Sequence, residues 1–170
     1  MAIAPSKKPR RPNSLRLDGA DYSQPGAYFF TIVTHNREQL FGEVKDQKML
    51  CSPFGHIVWK VWKSLPSRYP QVELDEAIVM PDHFHVIIVI DEVGAIHESP
   101  LLNHRRMTLP LIVGYFKMNS AKKINELRKK AGKPVWQRGY YDRILRDDRD
   151  YDELVEYIYS NPNYWGIDKD

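Results

Sequence analysis

Residues Val79–Ile90, with the sequence VMPDHFHVIIVI, constrain this chain more than any other stretch. From Phe84 to Ile90 every residue except His85 is apolar. Successive side chains on a strand point to opposite faces, so Phe84, Val86, Ile88 and Ile90 share one face and His83, His85, Ile87 and Val89 the other. A strand that is apolar on both faces belongs in the middle of a covered sheet, not at its edge. This one would carry two imidazoles side by side at its start. Such a pair is a partial site for one divalent ion, which needs further ligands from elsewhere. Taken alone, the pair fits equally well two ordinary strand histidines with satisfied hydrogen bonds.

The chain has 170 residues, 42% of them apolar and 12% aromatic, enough for one domain with a sizeable core. The expected division is a basic N-terminal arm over residues 1–21 and a single catalytic-type domain over 22–170. Cys51 is the only cysteine, so no intramolecular disulfide is available and a reducing, cytoplasmic setting is expected. No run approaches the ~18 apolar residues of a membrane span, and no membrane partner is expected. The net charge is only +3, from 25 basic and 22 acidic residues, but it is unevenly placed. Lys7, Lys8, Arg10, Arg11 and Arg16 occupy residues 1–17 with no acid among them, and eight basic residues face the single acid Glu126 between Arg105 and Lys130. That asymmetry suits a polyanionic partner, although a solvated lysine-rich helix face would look similar.

In chain order, Tyr28 to His35 (YFFTIVTH) reads as a core strand after the turn signal Gln24-Pro25-Gly26. Residues Leu40 to Leu50 suggest a short hairpin. Pro53 to Leu65 spaces Ile57, Val58, Val61, Trp62 and Leu65 as a helix, with Ser52 as N-cap and Pro66 and Pro70 ending it. Val72 to Met80 forms a strand that turns at Pro81-Asp82 into the histidine strand, which forces antiparallel pairing. Asp91 to Met107, with His97 and His104, reads as a surface loop.

A long helix then starts at Thr108, with Leu109, Ile112, Val113, Phe116, Ser120, Ile124 and Leu127 along one stripe, and stops at Gly132 and Pro134. Val135 to Leu145 (VWQRGYYDRIL) has the composition of a strand interrupted at Gly139. The last helix is expected from about Arg149 to Asn161, opened by an Asp150/Glu153 capping box and ended by Pro162. Tyr157 and Asn161 lie one turn apart on the border of its apolar stripe, so both can reach one cleft. A rim tyrosine of the core is the plainer role for Tyr157. This order of elements implies an α+β domain of the ferredoxin-like type, an antiparallel sheet with helices packed on one side.

Four segments in this order, MPDHFHVIIVI, LPLIVGYFKMNSAKKIN, PVWQRGYYDRILR and EYIYSNP, resemble the single-tyrosine HUH transposase family, in its REP-associated tyrosine transposase branch. The resemblance spans roughly Tyr22 to Trp165. It implies that His83 and His85 bind a catalytic divalent metal, Mg²⁺ or Mn²⁺. It further implies that Tyr157 is the nucleophile and that Asn161, where many insertion-sequence members carry Gln, completes the metal shell. Tyr159 is turned away from Asn161. The implied reaction is nicking and strand transfer on single-stranded DNA near a hairpin, through a covalent 5′-phosphotyrosine that conserves the bond energy. A phenol, with a pKa near ~10, needs electrostatic help for that attack at neutral pH. Family members include dimers, which makes a homodimer one state to expect.

Lys117, Lys122, Lys123, Arg138, Arg143 and Arg146 are the candidate DNA-backbone contacts, and Trp136, Tyr140 and Tyr141 the candidates for base stacking. Arginines that alternate with aromatics would look much the same on an amphipathic outer strand. Two other functions use the same residues: a non-catalytic single-strand-binding module or domesticated regulator, and a hydrolytic zinc enzyme built on the histidine pair.

Overall fold

The computed structural model describes residues 24–91 and 108–166. The basic arm, the segment 92–107 with His97 and His104, and the side chain of Thr108 lie outside the described residues. Strand β1 (Gly26–Val33) leads through a 3-10 turn (His35–Arg37) to the hairpin β2 (Gly42–Lys45) and β3 (Lys48–Cys51). Helix α1 (Pro53–Lys63), the short α2 (Leu65–Arg68), β4 (Val72–Val79), β5 (His83–Ile90), α3 (Thr108–Leu127), β6 (Tyr141–Ile144) and α4 (Asp148–Tyr164) follow.

The main sheet is antiparallel in the order β4-β5-β1-β6, so the histidine strand is internal, as its two apolar faces require. The expected hairpin at 40–50 is present as a separate two-stranded sheet, turning through Asp46 and Gln47 with φ of 50° and 58°. Ser52 caps α1 through its hydroxyl, which accepts from Gly55 N at 3.3 Å. Pro66 does not end the helical run but sits in the first turn of α2, where a missing N–H is no loss.

The two faces of the sheet are covered unequally. Tyr28, Phe30 and Ile32 of β1 and Phe84, Val86 and Ile88 of β5 pack with Val58, Val61 and Trp62 of α1 and with Leu109, Ile112, Val113 and Phe116 of α3. Trp62 is edge-on to Phe84 at 5.5 Å between centroids, so the α1 tryptophans are packing residues. The opposite face holds a small cluster, Phe29 and Ile87 against Leu154 and Ile158 of α4. The α+β antiparallel class is as expected. Where the sequence suggested helices on one side, α1 and α3 share that side and α4 lies across the other.

Four local expectations are corrected. Leu127, placed on the α3 stripe, is 53% exposed because the helix ends there. The strand expected over Val135–Leu145 is two pieces. Trp136 bridges Thr34, the chain bows out through Gly139 at φ 87°, and only Tyr141–Ile144 returns as β6. Helix α4 is capped by Asp147, which accepts from Asp150 N at 2.9 Å, while Glu153 pairs with Arg149 instead of closing a capping box. Pro162 does not stop α4, which runs on to Tyr164.

Candidate metal and nucleophile site

The small face of the sheet carries the candidate site. Register places Thr31 opposite His85 and Val33 opposite His83, so both imidazoles stand beside β1 on the side that α4 covers. Their ring centroids are 4.4 Å apart. His83 Nδ1 lies 2.5 Å from Asp82 Oδ1, and His83 Nε2 lies 3.3 Å from Asn161 Oδ1. In the neutral ring, donation of Nδ1–H to Asp82 turns the Nε2 lone pair toward Asn161.

His85 Nδ1 lies 2.6 Å from the Thr31 hydroxyl, and its Nε2 is buried with no hydrogen-bond partner among the described residues. Leaving a buried polar nitrogen unpaired costs ~1–3 kcal/mol, so an orphan of this kind calls for an explanation. Burial first, then the neighbouring charges of His83 and Arg37, pull the His85 pKa well below the usual imidazole value, which keeps the ring neutral and able to ligate. For Asp82, burial alone would raise the pKa. The hydrogen bond from His83 and the positive fields of His83 and Arg37 outweigh it and hold the carboxyl below its ordinary range.

Helix α4 brings the remaining residues. Ile158 and Leu154 anchor it against Phe29 and Ile87, and the adjoining border of the helix presents Tyr157 and Asn161 to the histidines. Tyr157 is 47% exposed, its ring 5.1 Å from that of His85 and 6.3 Å, edge-on, from that of Phe29. Tyr159 turns away, and its hydroxyl donates to Glu76 Oε2 at 2.5 Å. Tyr151 donates to Asp75 at 3.2 Å; burial, then that bond and the acids nearby, push its pKa up to about 12. Asp75 and Glu76 sit where the β4–β5 register shifts between Leu74 and Ala77, an irregularity of the kind that re-aims side chains. A cleft of about 530 Å³ opens over the site, lined by Arg37, Gln39, Asp82, His83, Tyr157, Asn161 and the Tyr164–Gly166 segment.

Among the described residues no group of three or more His, Cys, Asp and Glu side chains could hold a metal. The candidate donors are two imidazoles and one amide oxygen. That mixture of nitrogen and neutral oxygen fits an ion that takes its other ligands from phosphate and water. It lacks the four Cys and His ligands of a structural zinc site, and the third His or carboxylate ligand of a catalytic one.

The expected DNA contacts divide sharply. Lys122, Lys123, Arg138 and Arg146 are exposed, and Tyr141 is 48% exposed. Trp136 and Tyr140 are buried, corrected from stacking platforms to core residues. The Trp136 indole donates to Ser120 Oγ at 2.9 Å, and Tyr140 is edge-on to Phe30. Lys117 is likewise corrected. Its ammonium donates to the carbonyls of Gln137 and Gly139 at 2.6 and 2.7 Å, closing the bow between the two strand pieces, and burial lowers its pKa to about 8. Arg143 is paired with Asp150 at 2.5 Å. Asp82 and Arg37 join the site in the structure without having been expected from the sequence. A carboxylate directly before the first histidine was the available signal for Asp82.

No protein-family model matches the sequence. A Haemophilus influenzae protein of uncharacterised role is 36% identical over 168 residues, covering 92% of this chain and 91% of the relative. A candidate REP-associated tyrosine transposase of the same organism is 28% identical, covering 84% of this chain and 73% of the relative. The REP-associated tyrosine transposase of Escherichia coli is 25% identical, with coverages of 83% and 68%. Among solved structures, a REP-associated tyrosine transposase bound to a REP hairpin superposes with a TM-score of 0.54 at 22% identity, covering 83% of this chain and 68% of that one. That likeness supports the fold.

Proposed function

We propose, on the premise that the chain belongs to the REP-associated tyrosine transposase family, that it nicks and rejoins single-stranded DNA through Tyr157, with a divalent metal held by His83, His85 and Asn161. The observation that carries this is the meeting of β5 and α4. The His83 Nε2–Asn161 Oδ1 approach of 3.3 Å and the orphaned His85 Nε2 sit beside the exposed Tyr157 ring.

Tyr157 Oη attacks the phosphorus. The new Oη–P bond forms as the P–O3′ bond breaks, the phenolic proton departs, and O3′ leaves as a hydroxyl. When bound, Mg²⁺ or Mn²⁺ supplies charge neutralisation at the phosphate. Asp82 and Thr31 hold the two imidazoles in orientation, and Phe29, edge-on to Tyr157 and stacked on His85, restricts where the phenol ring can go. The phosphotyrosine keeps the bond energy, so a 3′-hydroxyl can reverse the step and join strands. One chain carries the whole residue set, and the proposed site needs no second copy.

The substrate proposed is single-stranded DNA flanked by a hairpin, the kind of ligand named for the superposed relative. Lys122, Lys123, Arg138, Arg146 and Tyr141 remain as the backbone and stacking contacts.

The test is a denaturant-resistant protein–DNA adduct with a hairpin-flanked oligonucleotide. Wild type forms it only with divalent metal, and Tyr157→Phe forms none while binding DNA unchanged. Undiminished adduct in Tyr157→Phe removes Tyr157 as nucleophile. Tight binding without adduct in wild type favours a non-catalytic binding module.

A further inference from the structure

Arg37 has no part in the chemistry above, yet it lines the same cleft as Tyr157, His83 and Asn161. It sits in the turn after β1 with φ 54°, directly after Asn36 at φ 54°. Asn tolerates the left-handed region, but Arg adopts it rarely, so the conformation at Arg37 depends on what holds the turn. Here Thr34 N donates to Asp82 O at 2.8 Å, Thr34 Oγ1 donates to Glu38 O at 2.8 Å, and Lys133 pairs with Glu38 at 3.3 Å.

The product of that turn is the placement of one guanidinium. Arg37 Nη1 lies 3.5 Å from Asp82 Oδ2, while Asp82 Oδ1 holds His83. The Arg37 side chain is 63% exposed and that of Asp82 only 8%. The cation therefore leans one edge on a buried carboxylate and leaves other N–H donors toward the cleft. Solvent screens the Arg37 end of this pair, so the guanidinium is only partly neutralised by Asp82 and can meet a second anion in the cleft.

We propose that Arg37 is a catalytic residue that donates to the non-bridging oxygens of the scissile phosphate, with Asp82 fixing its position relative to His83. The proposal rests on the transposase reaction given above. As the Tyr157 Oη–P bond forms and P–O3′ breaks, negative charge gathers on those oxygens. A planar, permanently charged fork is the side chain best shaped to meet them. Asp82 couples the two halves of the site, because its two oxygens orient a metal-ligating imidazole and the phosphate-facing cation.

The experiment compares full-length wild type, Arg37→Ala, Arg37→Lys and Tyr157→Phe in single-turnover adduct formation with Mn²⁺ and a hairpin-flanked oligonucleotide. Mn²⁺ affinity is measured separately on the DNA-free proteins by electron paramagnetic resonance. Arg37→Ala is expected to slow adduct formation by about 100-fold and Arg37→Lys by about 10-fold. Mn²⁺ affinity is expected to stay near wild type in both, and added guanidinium ion to restore part of the rate to Arg37→Ala. A rate near wild type in Arg37→Ala overturns the proposal. So does a lost rate matched by an equal loss of Mn²⁺ affinity, since Arg37 would then act only on Asp82 and His83. Failure of wild type to form adduct, with Mn²⁺ bound, overturns the strand-cleavage chemistry itself and Arg37's role with it.

Discussion

His83 Nε2 and Asn161 Oδ1 stand 3.3 Å apart although 78 residues separate them in the chain. With His83 Nδ1–H given to Asp82, the neutral ring leaves its Nε2 lone pair beside the Asn161 amide, the pair of atoms proposed to share a divalent cation. Asn161→Ala should weaken Mn²⁺ binding about tenfold, and Asn161→Asp, which adds a charge, should tighten it. Isothermal titration with Mn²⁺ reads both. Equal affinities across the three proteins would remove Asn161 from the ligand set.

Asp82→Asn leaves the size of the side chain unchanged but takes away the negative acceptor that orients His83. Loss of such a supporting carboxylate typically costs ~10–100-fold in metal affinity, and a drop in that range is expected in the same titration. Its thermal midpoint should move little by comparison with a core substitution.

Trp136 and Tyr141 separate stability from binding. Trp136→Phe removes a buried indole N–H bonded to Ser120 and should lower unfolding free energy by ~1–2 kcal/mol in urea, with DNA affinity unchanged. Tyr141→Ala should do the reverse, weakening single-strand binding by ~1–3 kcal/mol in a fluorescence anisotropy titration with little change in the urea midpoint. A binding defect confined to Trp136→Phe would contradict this assignment.

Lys117 gives a pH signature. Its folded pKa is about 8 against 10.5 for the free side chain, so between those values the unfolded chain holds the extra proton and stability rises with pH. Above pH 10 the trend reverses through Tyr151, whose folded pKa of about 12 exceeds the free value of 10.0. Urea unfolding of wild type and Lys117→Met from pH 8 to 10 should show the rise only in wild type.

These expectations trace what the sequence could and could not reveal. Periodicity was enough for β5, α1 and the stripe of α3, because each buries an apolar face whose spacing survives in the sequence. It also paired Tyr157 with Asn161, since helical geometry alone sets both on one border. The Val135–Leu145 segment failed for a tertiary reason. Gly139 and the carbonyls caught by Lys117 take the chain out of the sheet, which drives Trp136 and Tyr140 inward even though the exposed Arg138 lies between them. Arg37 was missed because it reaches Asp82 only when the turn after β1 folds back on the start of β5, and Asp82 because adjacency to His83 does not by itself say that the two side chains meet. The one-sided arrangement of helices was a fair inference for α1 and α3, but nothing in the amphipathic pattern of α4 says which face of the sheet it will take.

The unequal cover of the two faces has a consequence for which part of the molecule opens first. The broad core beneath α1 and α3 holds the histidine strand, whereas α4 is held by a few side chains, of which Leu154 and Ile158 would each contribute about 2 kcal/mol, and by its tyrosine ties to Asp75 and Glu76. Local opening of α4 can therefore withdraw Tyr157 and Asn161 together while the sheet stays folded. The molecule would then lose the arrangement of its candidate site before it loses its shape.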